Sequence, residues 1–422
     1  MHFSTETGHP TLADLFLTPP AAVESSALDA IEQAADRVLG EIGIRFQDPD
    51  SIERLKAAGG AVEGDVVRLD GPGLRRIIRA SAPERFLLRA RNPARDTPVG
   101  GAGAPVFAPV YGAPDVLADD SVRQRGTLGL YERLVAECHL SPALGNTGQM
   151  ICVINDIAEA DRPLQMLRAH LSFSDKPFMG TVASAAATRD IIDLTAQAVN
   201  RPAAERECNL LHLINCTPPL TYWESPLQCL RVVAEAGEAS MVSSYMMMGA
   251  TGPATAAGAL IQGYAEVLAG MALAQLWRPG APVVMGILAW PFDMRSMLPN
   301  FGDPVSQSIQ LHAGALGRRL GVPVRADGAV TSAKVDDAQA GADGGRVLSA
   351  AVSSRAGFVL HAAGWLEQGR CISIDKLRRD AAMISRSCFP AALPCEPPLP
   401  LDAAIDAEIR DRLSGGRGRG TA

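Results

Sequence analysis

The sequence predicts an α/β fold, a (β/α)8 TIM barrel with an N-terminal mainly helical cap, and two observations carry that expectation. From residue 106 onward, apolar β-like runs alternate with longer amphipathic runs every ~35 residues, which is the sequence form of repeated β-α units. Eight such runs can be counted, and several are almost continuously apolar, as strands buried on both faces must be. Eight parallel strands with intervening helices close most naturally into a barrel; an open doubly wound sheet is the alternative.

In chain order the runs are VFAPVYG from 106, NTGQMICVI from 146, KPFMGTV from 176, NLLHLINC from 209, ASMVSSYMMM from 239, PVVMGILAW from 282, PVRADGAV from 323 and GFVLHAAG from 357. Helix-like segments fall near 125–139, 161–173, 187–199, 225–236, 254–277, 303–320 and 336–355. Residues 1–104 read differently, with helical patterns at 27–40 and 50–59 and then a strand and helix in VVRLDGPGLRRIIRASAPERFLLRARNP. This is the expected cap, and residues 105–385 form the expected barrel domain. Residues 386–422, rich in proline and ending SGGRGRGTA, are expected to wrap the surface as a tail with a disordered end.

Composition narrows the function classes. A chain of 422 residues with 47% apolar content is no disordered polypeptide and can bury a large core. Its net charge of −7, with no Lys/Arg block interleaved with aromatics, argues against a nucleic-acid partner. The first thirty residues lack a basic head followed by an apolar run, and no span reaches the ~18 uninterrupted apolar residues of a membrane helix, so no membrane partner and a cytoplasmic location are expected. The composition leaves room for a homo-oligomer. Eight cysteines without a C-x-x-C pair read as reduced, mostly buried thiols. Cys208, His212 and Cys216 resemble a metal grouping in spacing, but they alternate with apolar positions as a buried strand would.

The barrel rule selects site residues before any motif does, because chemistry gathers at the C-terminal strand ends. Those ends offer Tyr111, Asn155, Thr181, Asn215 with Cys216, Met248 with Gly249, Trp290, Gly328 and His361. In MMMGATGPATAAGAL the strand ends at Gly249, with Pro253 placed for a first helical turn and Thr251 or Gly252 as its N-cap. Free N–H groups there, with the helix dipole, would suit an anion; the other reading is glycines kept for tight packing. In ILAWPFDMRSMLPNFGDP, Trp290, Phe292, Asp293 and Arg295 follow a strand, and ring faces with a nearby carboxylate suit a quaternary ammonium; an Asp293 to Arg295 pairing under a core lid is the alternative. Tyr222 and Trp223 form a second aromatic pair on another loop. Lys334, at a strand end in GAVTSAKVDDAQAG, could form a Schiff base with a carbonyl substrate or simply be solvated. His361 lies near the end of the last strand, as a substrate contact or a structural histidine.

Several long segments in order, MMMGATGPATAAGAL, EVLAGMALAQL, PGAPVVMG, DMRSMLPNFGDP and SAKVDDAQAG, with RFLLRARNP, PVYGAPDV and INDIAEADRPLQ upstream, resemble the trimethylamine and glycine betaine corrinoid methyltransferase family. The resemblance covers nearly the whole chain. It implies a (β/α)8 barrel that moves a methyl group from a methylated amine to the Co(I) corrinoid of a separate small protein, with no corrinoid held tightly by this chain. With only standard residues, the chain resembles the non-pyrrolysine branch, whose substrates are quaternary amines such as glycine betaine. One departure stands where the family has G-x-P-E: this sequence reads Gly302, Asp303, Pro304, Val305. From their places at the strand ends, His361 and Asp293 are the expected catalytic pair. Trp290, Phe292, Gly249, Thr251, Gly252, Tyr111, Asn215 and Lys334 are the expected substrate contacts. The alternatives are direct transfer to a folate, a Schiff-base lyase or aldolase built on Lys334, and a non-catalytic betaine-binding subunit.

Overall fold

The computed structural model describes residues 23–118, 122–387 and 396–416. Three N-terminal helices, α1 (Ser25–Arg37), α2 (Pro49–Ala57) and α3 (Gly71–Ser81), alternate with short strands. From there the chain enters the predicted alternation. Barrel strand β1 is Val106–Phe107, followed by α4 (Leu128–Leu140) and α5 (Arg162–Phe173). Then come β2 (Phe178–Gly180), α6 (Ala185–Val199), β3 (Leu210–Cys216), α7 (Glu224–Ala236), β4 (Ala239–Met248), α8 (Ala256–Trp277) and β5 (Val283–Asp293). The last units are α9 (Pro304–Leu320), β6 (Val324–Asp327), α10 (Ala338–Ser353), β7 (Phe358–Leu360) and α11 (Ile374–Ser387), and α12 (Ala403–Gly416) follows.

The parallel strands lie in the order β1-β7-β6-β5-β4-β3-β2, so the chain winds around a single sheet. The second predicted run, residues 146–154, is not a regular strand. Asn146 Oδ1 accepts from Gly148 N at 2.8 Å, and Gly148 has φ +77°, so a local turn replaces the ladder. The segment still closes the barrel: Asn146 N donates to Phe107 O, Thr147 N to Pro177 O, and Met179 N to Gly148 O. The eighth stave is therefore present as irregular backbone.

Inward residues fill the lower lumen with Met179, Leu211, Leu213, Met241, Val284 and Phe358. Phe86, Leu88 and Val99, from an N-terminal hairpin (Arg85–Leu88 with Thr97–Gly100), join the same cluster. That hairpin plugs the end of the barrel where the strands begin. Helices α1, α2 and α3 instead lie along the outer face of α8, where Tyr264 OH donates to Glu32 (3.2 Å) and Ser81 Oγ to Gln275 (2.9 Å). Covered on both sides, α8 is apolar all round. By length and hydropathy it is the one helix among the described residues that could cross a membrane, though Gln262, Glu266 and Gln275 interrupt its apolar run; its apolar stretch is 78% buried in the fold.

The C-terminal segment docks onto charged groups. Arg91 donates to Leu399 O (2.7 Å) and Pro400 O (3.1 Å), and Asp175 accepts from Leu399 N (3.0 Å). Helix α12 then pairs through Asp406 with Arg168 at 2.8 Å. Pro390, Pro394 and the expected disordered end beyond residue 416 lie outside the described residues. The six described cysteines are free and buried. His212 is bonded to Thr181 O and Cys216 to Thr221 O, and among the described residues no group of three or more His, Cys, Asp or Glu is arranged to hold a metal ion.

Candidate active site

Strand β6 reads Val-Arg-Ala-Asp, and all four residues are buried. Alternation places Arg325 and Asp327 on one face. Register identifies it as the lumen, since Asn215, Ser243, Gly286 and Arg325 are successive neighbours across β3, β4, β5 and β6. Gly286 leaves the space the arginine needs: a Cβ there would stand 2.3 Å from Ser243 Oγ and 3.2 Å from Arg325 Cδ. Arg325 therefore crosses to β4, donating to Ser243 Oγ at 3.1 Å and to Asp327 Oδ1 at 3.2 Å.

His361, just past β7, completes the network, with Nδ1 2.9 Å from Asp327 Oδ1. Its backbone is left-handed at φ +58°, a conformation that costs a non-glycine residue ~1–3 kcal/mol. Main-chain bonds from His361 N to Pro109 O (3.2 Å) and Ala362 N to Ala108 O (2.9 Å) hold it there.

Burial alone would raise the Asp327 pKa, but His361 and Arg325 outweigh it and hold it below the ordinary value. The carboxylate is ionised. Burial pushes the His361 pKa down, Arg325 adds to that, and Asp327 only partly opposes it. A neutral imidazole facing a carboxylate carries its proton on Nδ1. Its Nε2 is left as an acceptor, with no hydrogen bond among the described residues.

Aromatic rings surround the network. Trp365 lies tilted against His361, with centroids 3.9 Å apart and planes at 38°, and Tyr245 meets His361 edge-on at 6.5 Å. Phe301 links Trp290 (4.8 Å) to Trp365 (5.5 Å), and the Arg325 guanidinium lies 5.8 Å from the Tyr245 ring. Within this enclosure Asp327 Oδ2 is buried without a hydrogen-bond partner among the described residues, while Tyr245 and Trp290 turn their polar atoms toward each other. Tyr111 is half-buried, and burial pushes its pKa up to about 12 against the nearby Arg325, so it is a neutral phenol. Asn215 is exposed on the lumen face of β3.

The structure thus brings together His361, Trp290, Tyr111 and Asn215 among the expected site residues. Others lie elsewhere. Asp293 is exposed at the end of β5, where its carboxylate accepts from Arg295 N (3.0 Å) and Ser296 N (3.3 Å). It caps the turn of a hairpin arm and takes no part in the network. Phe292, half-buried, pairs with Pro299 on the same arm. Lys334 is exposed on the loop after β6. Tyr222 is buried on the outer side, stacked on Phe46 at 5.6 Å, and Trp223 is 50% exposed at the start of α7.

The glycine turn also differs from expectation. Gly249 N donates to Gly252 O, and Ala250, Thr251 and Gly252 all donate to Met247 O. No free N–H cradle exists from 249 to 252. Helix α8 begins at Ala256 with Thr255 as its N-cap, so Pro253 precedes the helix. Gly252 is there for packing, since a Cβ would meet Met246 Sδ at 2.5 Å, while Gly249 supplies φ +86°. Thr251 Oγ1 accepts from Met247 N at 2.9 Å and so serves the turn.

A family model described as trimethylamine methyltransferase (MTTB) matches residues 12–397. The chain belongs to that family. Within it, the chain is 36% identical over 351 residues to a glycine betaine methyltransferase of Desulfitobacterium hafniense (strain Y51), covering 83% of this chain and 73% of the relative. It is 28% identical over 373 residues to a proline betaine:corrinoid methyltransferase of Eubacterium limosum, covering 85% and 75%. It is 27% identical over 372 residues to the trimethylamine methyltransferase MttB1 of Methanosarcina mazei, covering 85% and 73%. The crystal structure of the hydroxylamine MtmB complex superposes with a TM-score of 0.52 at 11% identity, covering 96% of this chain and 81% of that one, a likeness of fold. The MTTB-family chain is a methyltransferase barrel, as its sequence predicts.

Sequence reasoning missed Arg325, Asp327, Tyr245, Phe301 and Trp365. A signal for the first two was available: an arginine and an aspartate two apart inside an apolar run occupy one strand face, and in a barrel that face is interior.

Proposed function

We propose that this chain demethylates a quaternary amine of the betaine class and passes the methyl group to the Co(I) corrinoid of a separate protein. One observation carries the reading: an ionised carboxylate, compensated by Arg325, lies beneath Tyr245, Trp290, Phe301 and Trp365 at the C-terminal end of the barrel. Each ring face is worth ~0.5–2 kcal/mol to a desolvated cation. The names of the glycine betaine and proline betaine relatives support the same substrate class and acceptor.

The residues fit the chemistry of a nitrogen that is already quaternary. Such a nitrogen leaves as a neutral amine and needs no proton at the moment of transfer, and the site offers none, since Asp327 is ionised and His361 neutral. Because the substrate nitrogen loses its charge as the methyl departs, an uncompensated carboxylate would stabilise the ground state more than the transition state. Arg325 offsets that bias. The carboxylate end of a betaine then meets donors whose strength does not fade, Tyr111 OH and Asn215 Nδ2, in place of the glycine turn. The corrinoid enters as a second substrate on its own protein.

The test is methylation of Co(I) cobalamin by the recombinant chain with glycine betaine, proline betaine, choline or trimethylamine. A methylcobalamin spectrum with a betaine and none with trimethylamine is expected. Turnover of trimethylamine, or of no quaternary amine, would refute the reading.

A further inference from the structure

Asp327 Oδ2 is an acceptor that no donor among the described residues uses. The residue is 0% exposed, and its other oxygen already takes Arg325 and His361. A buried carboxylate oxygen with no donor is costly to maintain, and Gln310 does not supply one: its Oε1 accepts from Asp327 N at 2.9 Å, while its Nε2 makes no hydrogen bond among the described residues. A quaternary ammonium cannot repair this, because it carries no N–H. Its demethylated product can, once protonated.

We infer that Asp327 Oδ2 receives the N–H of the protonated tertiary amine product, making this oxygen a product-recognition site within the same lumen. The inference rests on the betaine reading above. In the transfer step the N–CH3 bond breaks, its electron pair stays on nitrogen, and the methyl carbon bonds to the electron pair of the Co(I) acceptor. The tertiary amine then takes one proton from solvent water onto its lone pair, and the new N–H donates to Asp327 Oδ2. With the lone pair occupied, the amine can no longer take the methyl group back. Arg325 cancels much of the simple charge attraction for any cation. The N–H bond therefore separates tertiary from quaternary ammonium, and charge does not.

The experiment is calorimetric titration of the full chain with N,N-dimethylglycine and glycine betaine at pH 7.5, where both are zwitterions. In the wild type, dimethylglycine is expected to bind at least about threefold more tightly, since a charge-assisted hydrogen bond outweighs the lost burial of one methyl group. That comparison needs no variant, and the opposite order overturns the inference. In Asp327→Asn, which removes the charge for both ligands alike, affinity for dimethylglycine is expected to fall at least about threefold further than that for glycine betaine, so that the wild-type preference disappears. Equal losses overturn it. Binding of neither compound to the wild type would sink the betaine reading and this inference together, whereas binding of both with the wrong order sinks the inference alone.

Discussion

Ser243 and Ser244 are adjacent in β4, face opposite sides of the barrel wall, and each belongs to a buried carboxylate system. Outside, Glu266 of α8 is saturated: one oxygen accepts from Ser244 Oγ, the other from Leu220 N (2.7 Å) and Gln262 Nε2 (2.9 Å). Its main-chain carbonyl also takes Tyr222 OH at 3.0 Å, so this residue pins the loop that follows β3. Inside, Ser243 Oγ helps hold Arg325 against Asp327, yet Asp327 keeps one oxygen bare. Burying a carboxylate costs several kcal/mol unless donors compensate it. The saturated one serves the fold. The half-satisfied one is a place where something else completes the structure.

The largest expected effect breaks this pair apart. Asp327→Ala frees Arg325 and His361 together, and misplacement of positioned groups by ~1 Å can cost ~10²-fold, so kcat/KM is expected to fall at least that far. Glu266→Ala leaves three donors unsatisfied and should lower thermal stability more than Asp327→Ala does, with a smaller loss of activity. Steady-state kinetics and calorimetry on both variants decide the matter; a reversed pattern would mean that the inner carboxylate is the structural one.

The aromatic enclosure sharpens the comparison. Phe301→Leu keeps an apolar side chain but removes a ring face worth ~0.5–2 kcal/mol, so betaine affinity should drop about two- to thirtyfold in titrations. Unchanged affinity would place the cation elsewhere.

pH separates structural from functional carboxylates by sign. Glu238, where β4 begins, accepts from Asn209 N (2.8 Å) and Leu210 N (2.7 Å), and burial pushes its pKa up to about 7. A raised folded pKa means that the stability from this group is present below the unfolded value and is lost as pH rises through about 7. Asp327 has a lowered folded pKa, so its contribution is present above the unfolded value and is lost as pH falls through the lowered one. Glu238→Gln is therefore expected to flatten the decline of Tm between about pH 5 and 8. Asn209 Oδ1, unpartnered among the described residues, can accept from the new amide. A Tm profile that keeps its slope would refute this assignment.

The smallest effect is expected at Asp293. Because it caps an exposed turn, Asp293→Asn should change kcat/KM less than about twofold, the range typical of surface substitutions. A large loss would return it to the site.

The barrel was legible because burial of strands and helices imposes period and polarity along the chain. The second stave was expected as a regular strand and is irregular, because Asn146 Oδ1 takes the Gly148 N–H locally, which a run of apolar letters does not reveal. Trp290 and His361 were legible as strand-end residues. Phe301 and Trp365 were not, because they reach the site from separate loops and only tertiary packing brings them to the rings they touch. The glycine turn misled for a related reason. Free N–H groups are a property of the whole turn, and the Met247 carbonyl had already collected them.

The hairpin that fills the far end of the barrel makes the lumen a cup with one opening. Amine, methyl acceptor and product must share that door. A bulky protein-borne acceptor seated on it would shut out an amine that had not yet entered, and would hold in an amine that had not yet left. Turnover should then show a compulsory order, small molecule first on and last off, with the demethylated amine competing against its own precursor.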